Sequence, residues 1–197
     1  GYQAMYNNNS GIRNTAVGYQ ALESNVSGGS NTACGYEALV NNTGDGCSAF
    51  GNDALRNNTS GEKNTGLGNE ALENNTTASF NTAVGHHSLT TNTTGTENTA
   101  VGSESLELCT NGSNHTAMGK GALQNVTTSS SNSAFGRQAG NDINTGTNNL
   151  CLGAEAGRSN SPSGAITTGS NNVVLGNNSI QNFYCADTSI SSSDSRD

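Results

Sequence analysis

The residues able to do chemistry are few in this sequence, and they are thinly spread. Histidine occurs three times, at His86, His87 and His115, and only the first two are neighbours. A metal would need their nitrogens to converge in a tetrahedral site, whereas adjacent residues on a strand or turn point apart. The pair therefore reads as surface substitution. Five cysteines (Cys34, Cys47, Cys109, Cys151 and Cys185) form no CxxC pair and no Cys/His ligand spacing. They read as free, mostly packed thiols of a protein assembled in a reducing compartment. Glu37, Asp53, Glu70, Glu104 and Glu155 each stand two residues after a glycine. Stacked, Glu37, Asp53 and Glu70 would suit a hard cation such as Ca²⁺, but Gln3, Gln20, Lys120 and Gln138 nearby break any acidic stripe. A solvated face is the simpler reading. With no paired carboxylates set apart in a groove, the sequence supports no catalytic, metal-binding or cofactor-binding residues. It reads as a non-enzyme that needs no cofactor.

The spacing of these residues is set by an internal repeat. NTAVGYQAL (Asn14 to Leu22) returns as NTACGYEAL, CSAFGNDAL, NTGLGNEAL, NTAVGHHSL, NTAVGSESL, HTAMGKGAL and NSAFGRQAG. Its register glycines are Gly1, Gly18, Gly35, Gly51, Gly68, Gly85, Gly102, Gly119, Gly136, Gly153 and Gly176, spaced by 17 residues except for intervals of 16 (Gly35 to Gly51) and 23 (Gly153 to Gly176). Such strict register specifies an array of about ten stacked coils. N-T-A-V-G reads as a short strand ending at a glycine able to turn the chain. Y-Q-A-L contains good helix formers and suggests one helical turn, and the Asn- and Gly-rich remainder reads as a polar turn.

Down the columns, Asn14, Asn31, Asn64, Asn81, Asn98, Asn132, Asn149 and Asn172 open the strands and are expected to form an Asn ladder from coil to coil. The residue before each glycine is apolar (Val17, Cys34, Phe50, Leu67, Val84, Val101, Met118, Phe135, Leu152, Leu175), and a Leu usually stands four residues after it. Both columns are expected to point inward, giving two large core residues per coil. At about 4.8 Å per coil the rod would be on the order of 50 Å long. Burial worth about 25 cal/mol per Å² barely offsets roughly 1–2 kcal/mol of backbone entropy per residue in so lean a coil. Parallel chains sharing an apolar axis would relieve the deficit, and three-fold association is expected.

Composition agrees. Asn, Gly, Ser and Thr make up 106 of the 197 residues, and only 30% are hydrophobic, a lean share for a chain that must build a core. The net charge of −8 and seven scattered basic residues argue against nucleic acid. No apolar run approaches the roughly 20 residues needed to span a bilayer. Asn-x-Ser/Thr triplets such as Asn25-Val26-Ser27 follow from composition and carry no glycosylation argument. Tyr2, Tyr19 and Tyr36 recur just after the glycine; packing between coils explains them better than sugar stacking. Pro162 marks the long last interval as the one specialised loop, and Phe183 and Tyr184 are expected to plug the end of the solenoid.

The NTAVGYQAL array resembles the repeats of bacteriophage tail fibres, especially fibres of phages that infect cyanobacteria. More loosely it is similar to the head repeats of trimeric autotransporter adhesins, in which each subunit forms a left-handed parallel β-roll and three subunits pack side by side. The C-terminal stretch resembles the junction to the intramolecular chaperone of endosialidase-type fibres, which is released by self-cleavage within a Ser-Asp-x-Arg motif. The matching residues are Ser193, Asp194, Ser195 and Arg196, with the cut implied between Ser193 and Asp194 and the chaperone itself lying outside this sequence.

The expectation is therefore a mainly β repeat solenoid, assembled as a parallel homotrimer. Residues 1–176 would form its shaft, and residues 177–197 a C-terminal cap and linker. The resemblance implies a structural and adhesive tail-fibre segment of the virion, assembled in the host cytoplasm. Its partners would be two identical chains and a host-surface glycan or protein receptor, with no nucleic acid and no membrane insertion. A bacterial surface adhesin head is the alternative; an ice-binding solenoid, suggested by the Thr15, Thr32, Thr65, Thr82, Thr99 and Thr116 column, ranks below it.

Overall fold

Each N-T-A-V-G segment contributes three residues of strand before its glycine turns the chain. In the computed structural model, which describes residues 1–182, these strands are β1 (Thr15–Val17), β2 (Thr32–Cys34), β3 (Ser48–Phe50), β4 (Thr65–Leu67), β5 (Thr82–Val84), β6 (Thr99–Val101), β7 (Thr116–Met118), β8 (Ser133–Phe135), β9 (Leu150–Leu152) and β10 (Val173–Leu175). All ten pair in sequence order as one parallel sheet. The chain is a β-solenoid with one strand per coil. Thr15 lies opposite Thr32 and Ala16 opposite Ala33, and Val84 lies opposite Val101, so residues one repeat apart stack directly. The short 16-residue interval is absorbed in a loop. Asn42 donates to the Gly44 carbonyl two residues on, where Asn25 and Asn58 reach the carbonyl three residues on.

The apolar column before the glycine does not face inward. Successive strand residues point to opposite sides, and the middle residue is the buried one: Ala33, Ala49, Ala83, Ala100, Ala117 and Ala134 are 0% exposed. Its neighbours must then face out. Val17 is 57% exposed, Leu67 45%, Phe50 41% and Phe135 38%. The interior instead has one large residue per coil, the fully buried column Leu22, Leu39, Leu55, Leu72, Leu89, Leu106 and Leu123.

Y-Q-A-L does not make a helical turn. It runs as tandem turns in which Gly18, Gln20 and Leu22 all have positive φ, at 136°, 53° and 54°. For non-glycine residues this region costs roughly 1–2 kcal/mol each, and hydrogen bonding explains why it is populated. Gln20 N–H donates back to Tyr2 O at 2.9 Å and Leu22 N–H forward to Ala38 O at 3.1 Å, while Glu23 N–H closes a turn on Gln20 O at 3.1 Å. A helix would spend these donors within its own coil and leave the neighbouring coils unbonded. The stack overrides the local propensity.

Candidate functional site

Three features are built by the stacking: an interior ladder and an outward face that run the length of the rod, and a second interior ladder confined to its first half. In the first ladder, Asn98 shows the unit. Its Nδ2 donates to Gly112 O at 2.9 Å, and its Oδ1 accepts the His115 N–H of the next coil at 3.0 Å. Asn14, Asn31, Asn64, Asn81, Asn132 and Asn149 each accept the backbone N–H of the next coil in the same way, and Asn172 donates to Asn149 Oδ1 at 2.9 Å. Cys47 and His115 take Asn positions. His115 reproduces the Asn bonds: Nε2 meets Ser129 O at 2.8 Å, and Nδ1 accepts Asn132 N–H at 3.2 Å. That fixes the neutral Nε2–H tautomer, and burial pushes the ring's pKa below its ordinary value.

The second ladder was missed in the sequence, although an Asn three residues before a small loop residue recurs in most coils. Asn25, Asn58, Asn75 and Asn92 donate side chain to side chain along the rod, at 2.7, 2.6, 2.7 and 2.8 Å. From Cys109 onward the same column is apolar, with Val126, Ile143 and Ile166 buried. At the changeover the buried Asn92 Oδ1 has no partner. The shortened loop has a similar effect on Asn25 Oδ1, which Asn42 no longer reaches. Beside this column, Thr59, Thr76, Thr93 and Thr110 each donate a hydroxyl to the next coil's carbonyl, at 2.9–3.2 Å.

The register glycines are needed for both conformation and space. Gly68 has φ +140°, and a Cβ there would lie 2.5 Å from Gly85 O. Gly18, Gly35, Gly51, Gly85, Gly102, Gly119, Gly136, Gly153 and Gly176 also have positive φ.

The outward face consists of two parallel columns. Thr15, Thr32, Ser48, Thr65, Thr82, Thr99, Thr116 and Ser133 form one, ending in Leu150 and Val173; the residues before the register glycines form the other. Around the edge from it, Tyr2, Tyr19 and Tyr36 stack with ring centroids 5.6 and 5.1 Å apart.

The acidic and basic side chains sit on the turns and loops. Arg56 bridges the column of carboxylates, 2.6 Å from Glu37 and 3.5 Å from Asp53. Burial opposes charge on Glu37, but bonds from Arg56 and Tyr36 outweigh it and hold its carboxyl below the usual value. Burial raises Asp53 instead. His86 and His87 do not point apart: their rings stack at 3.9 Å, and His87 Nε2 lies 2.7 Å from Glu70 Oε2. Among the described residues no three His, Cys, Asp or Glu side chains converge as metal ligands. Burial pushes the Cys109 and Cys151 thiols up to about 11, so both are protonated and inert at neutral pH. Cys34, on the outward face, is exposed.

At the C-terminal end, Leu152, Pro162, Leu175 and Ile180 line an apolar hollow of about 540 Å³ under the long loop. Ser193, Asp194, Cys185, Phe183 and Tyr184 lie outside the described residues. Among the described residues no helix is long and apolar enough to cross a membrane. Compared with protein-family models, curated proteins and solved structures, the chain matches none.

Proposed function

We propose that this chain is a structural and adhesive segment of a trimeric viral tail fibre, a stiff rod that spaces and presents host-recognition surfaces. The observation that carries this reading is the continuous parallel pairing of ten strands in sequence order. Nine steps of about 4.8 Å make a rod about 43 Å long from β1 to β10. A repeat bonded only to its neighbours can be lengthened without redesign, which suits a spacer. The resemblance of NTAVGYQAL to tail-fibre repeats gives the rod its context: the virion tail, assembled in the host cytoplasm. The Ser193–Asp194 junction is read as the point where an assembly chaperone is released. One Leu per coil is a lean interior, which favours assembly with two identical chains. A host-surface glycan or protein is the receptor class.

Light scattering and electron microscopy of the purified chain test this. The expected result is a rod of three times 19.9 kDa; a stable monomer overturns it. The bacterial adhesin head shares this geometry and is separated from the fibre by what the full gene encodes downstream, an anchoring barrel or a chaperone. One observation favours ice binding, the outward Thr column at one residue per coil. Its companion column mixes Val, Cys, Phe, Leu and Met, too uneven for a flat ice-ordering surface, and absence of thermal hysteresis would dispose of it.

A further inference from the structure

The geometry points to the outward sheet face as the surface on which a second copy of this chain docks, parallel and in register. The inference rests on the homo-oligomer reading above and names the face it uses.

Charge argues first. The chain carries 22 Asp, Glu, Lys and Arg residues and a net charge of −8, so copies repel one another over most of their surface. The two outward columns of β1–β10 comprise 20 residues, and none is charged. The charges are on the turns, as with Glu37, Arg56, Glu104 and Arg137. On an acidic rod, an uncharged face lets like copies meet without burying repulsion, and of the uncharged columns this one is the apolar one: the loop columns of Thr59, Thr76, Thr93 and Thr110 are polar.

Apolarity argues second. Ten large or medium apolar residues, Val17 to Leu175, form a continuous stripe, and single exposed hydrophobics are common where such stripes are not. The strip is about 43 Å long, and without the flanking columns, which carry Arg13, Lys63 and Glu97 on one side and Lys120 and Arg137 on the other, about 10 Å wide. That is on the order of 430 Å² before side-chain relief, about half of the roughly 800 Å² per partner of a stable interface, with the flanking columns left to form a polar rim.

Repetition argues third. Because each rung repeats the last, a copy related by rotation about an axis parallel to the rod brings each rung against its own equivalent. Cys34 then approaches Cys34 of the other copy, the bulky Phe50 and Phe135 meet their equivalents, and the Thr hydroxyls stay beside the seam.

The test uses the whole chain carrying Cys185→Ser, so that Cys34 is its only accessible thiol, with Cys47, Cys109 and Cys151 buried. A short bis-maleimide is added and the products are separated under denaturing conditions. In parallel, Val84→Asp/Val101→Asp and the turn-face control Glu62→Lys are compared by light scattering and circular dichroism. Val84 and Val101 stand on the outward face, and circular dichroism establishes that the double variant keeps its fold; if it does not, Val17→Asp, at a position 57% exposed, takes its place.

The expected result is Cys34-dependent linked pairs, loss of the oligomer in the double variant at micromolar concentration, and an unchanged oligomer in the control. An oligomer that survives Val84→Asp/Val101→Asp and gives no linked pairs overturns the face while leaving the oligomer standing. A folded monomer before any substitution overturns both.

Discussion

The coils before Cys109 and those after it fill the same interior in two different ways. Before it, each coil buries a Leu beside an Asn, as with Leu72 and Asn75, both 0% exposed. After it, one coil still buries its Leu, Leu123, now beside Val126, and in the next two coils the Leu column becomes Gly140 and Gly157 while the Asn column becomes Ile143 and Ile166. The bulk has moved across the coil. A Cβ at Gly140 would lie 2.7 Å from Leu123 Cδ2 and 3.2 Å from Ile143 Cδ1, and one at Gly157 would lie 2.8 Å from Cys151 Sγ and 3.7 Å from Ile166 Cδ1, so each Ile shares with a neighbouring side chain the space that a Leu vacates. The two solutions differ in what they demand of their neighbours. An Asn column works only when the next coil continues it, whereas an apolar column tolerates any apolar neighbour. The backbone is the same in both, since Leu72 has φ 55° and Gly140 has φ 61°.

The most severe way to break the comparison is to give an early coil half of the late solution. Leu72→Gly suits the backbone but leaves a cavity, and its expected cost is about 3–5 kcal/mol, read from denaturant midpoints. Adding Asn75→Ile restores the volume but removes the donor to Asn58 Oδ1 and the acceptor for Asn92. The double variant should recover at least ~1 kcal/mol of the loss, a positive coupling in a double-mutant cycle. No recovery would mean that the two columns do not exchange volume.

How much of this was legible in the sequence depended on distance along the chain. The coil register could be read because glycines 17 residues apart are a local fact that stacking repeats. The direction of Val17 could not: both T-A-V orientations obey a period of two, and the choice is made by Leu22 and the Asn columns filling the interior, leaving room only for Ala. The left-handed residues were hidden for a similar reason. Gln20 and Leu22 are good helix formers, and only bonds to Tyr2 and Ala38, one coil away on either side, make positive φ worthwhile. The stacking of His86 on His87 belongs to the same tandem turns.

The reverse exchange is expected to cost slightly less. Ile143→Asn places an amide between Val126 and Ile166, where its Nδ2 can reach Gly146 O but its Oδ1 meets no donor. Lost burial and an unsatisfied oxygen together should cost about 2–4 kcal/mol by the same measurement. A cost below ~1 kcal/mol would show that the late coils admit water or relax, against the close packing inferred here.

Between the two regions stands His115, and pH probes it. Burial lowers the folded pKa of His115 below 6.5. In the unfolded chain the ring takes up its proton near 6.5, so the unfolded state binds more protons and stability falls as pH drops below that value. The loss stops growing below the folded pKa. Between pH 7 and 5 denaturant midpoints should therefore fall as the pH is lowered. His115→Asn keeps the rung and should remove this slope, leaving only contributions shared with the parent. An unchanged slope would assign it to other groups.

The smallest effect is the most informative about the boundary itself. Asn92 Oδ1 is buried without a partner because Cys109, whose thiol makes only a 3.7 Å contact with Gly112 O, stands where the next Asn would donate. Cys109→Asn supplies that donor, yet its own Oδ1 then faces Val126 and becomes the orphan. The defect moves one coil without disappearing, because an Asn column of any length ends in one unmatched oxygen. The expected change is within ~0.5 kcal/mol. A clear stabilisation would mean that the orphan oxygen is tolerated better beside Val126 than beside Cys109, and a clear loss that the changeover sits where the coil can best bear it.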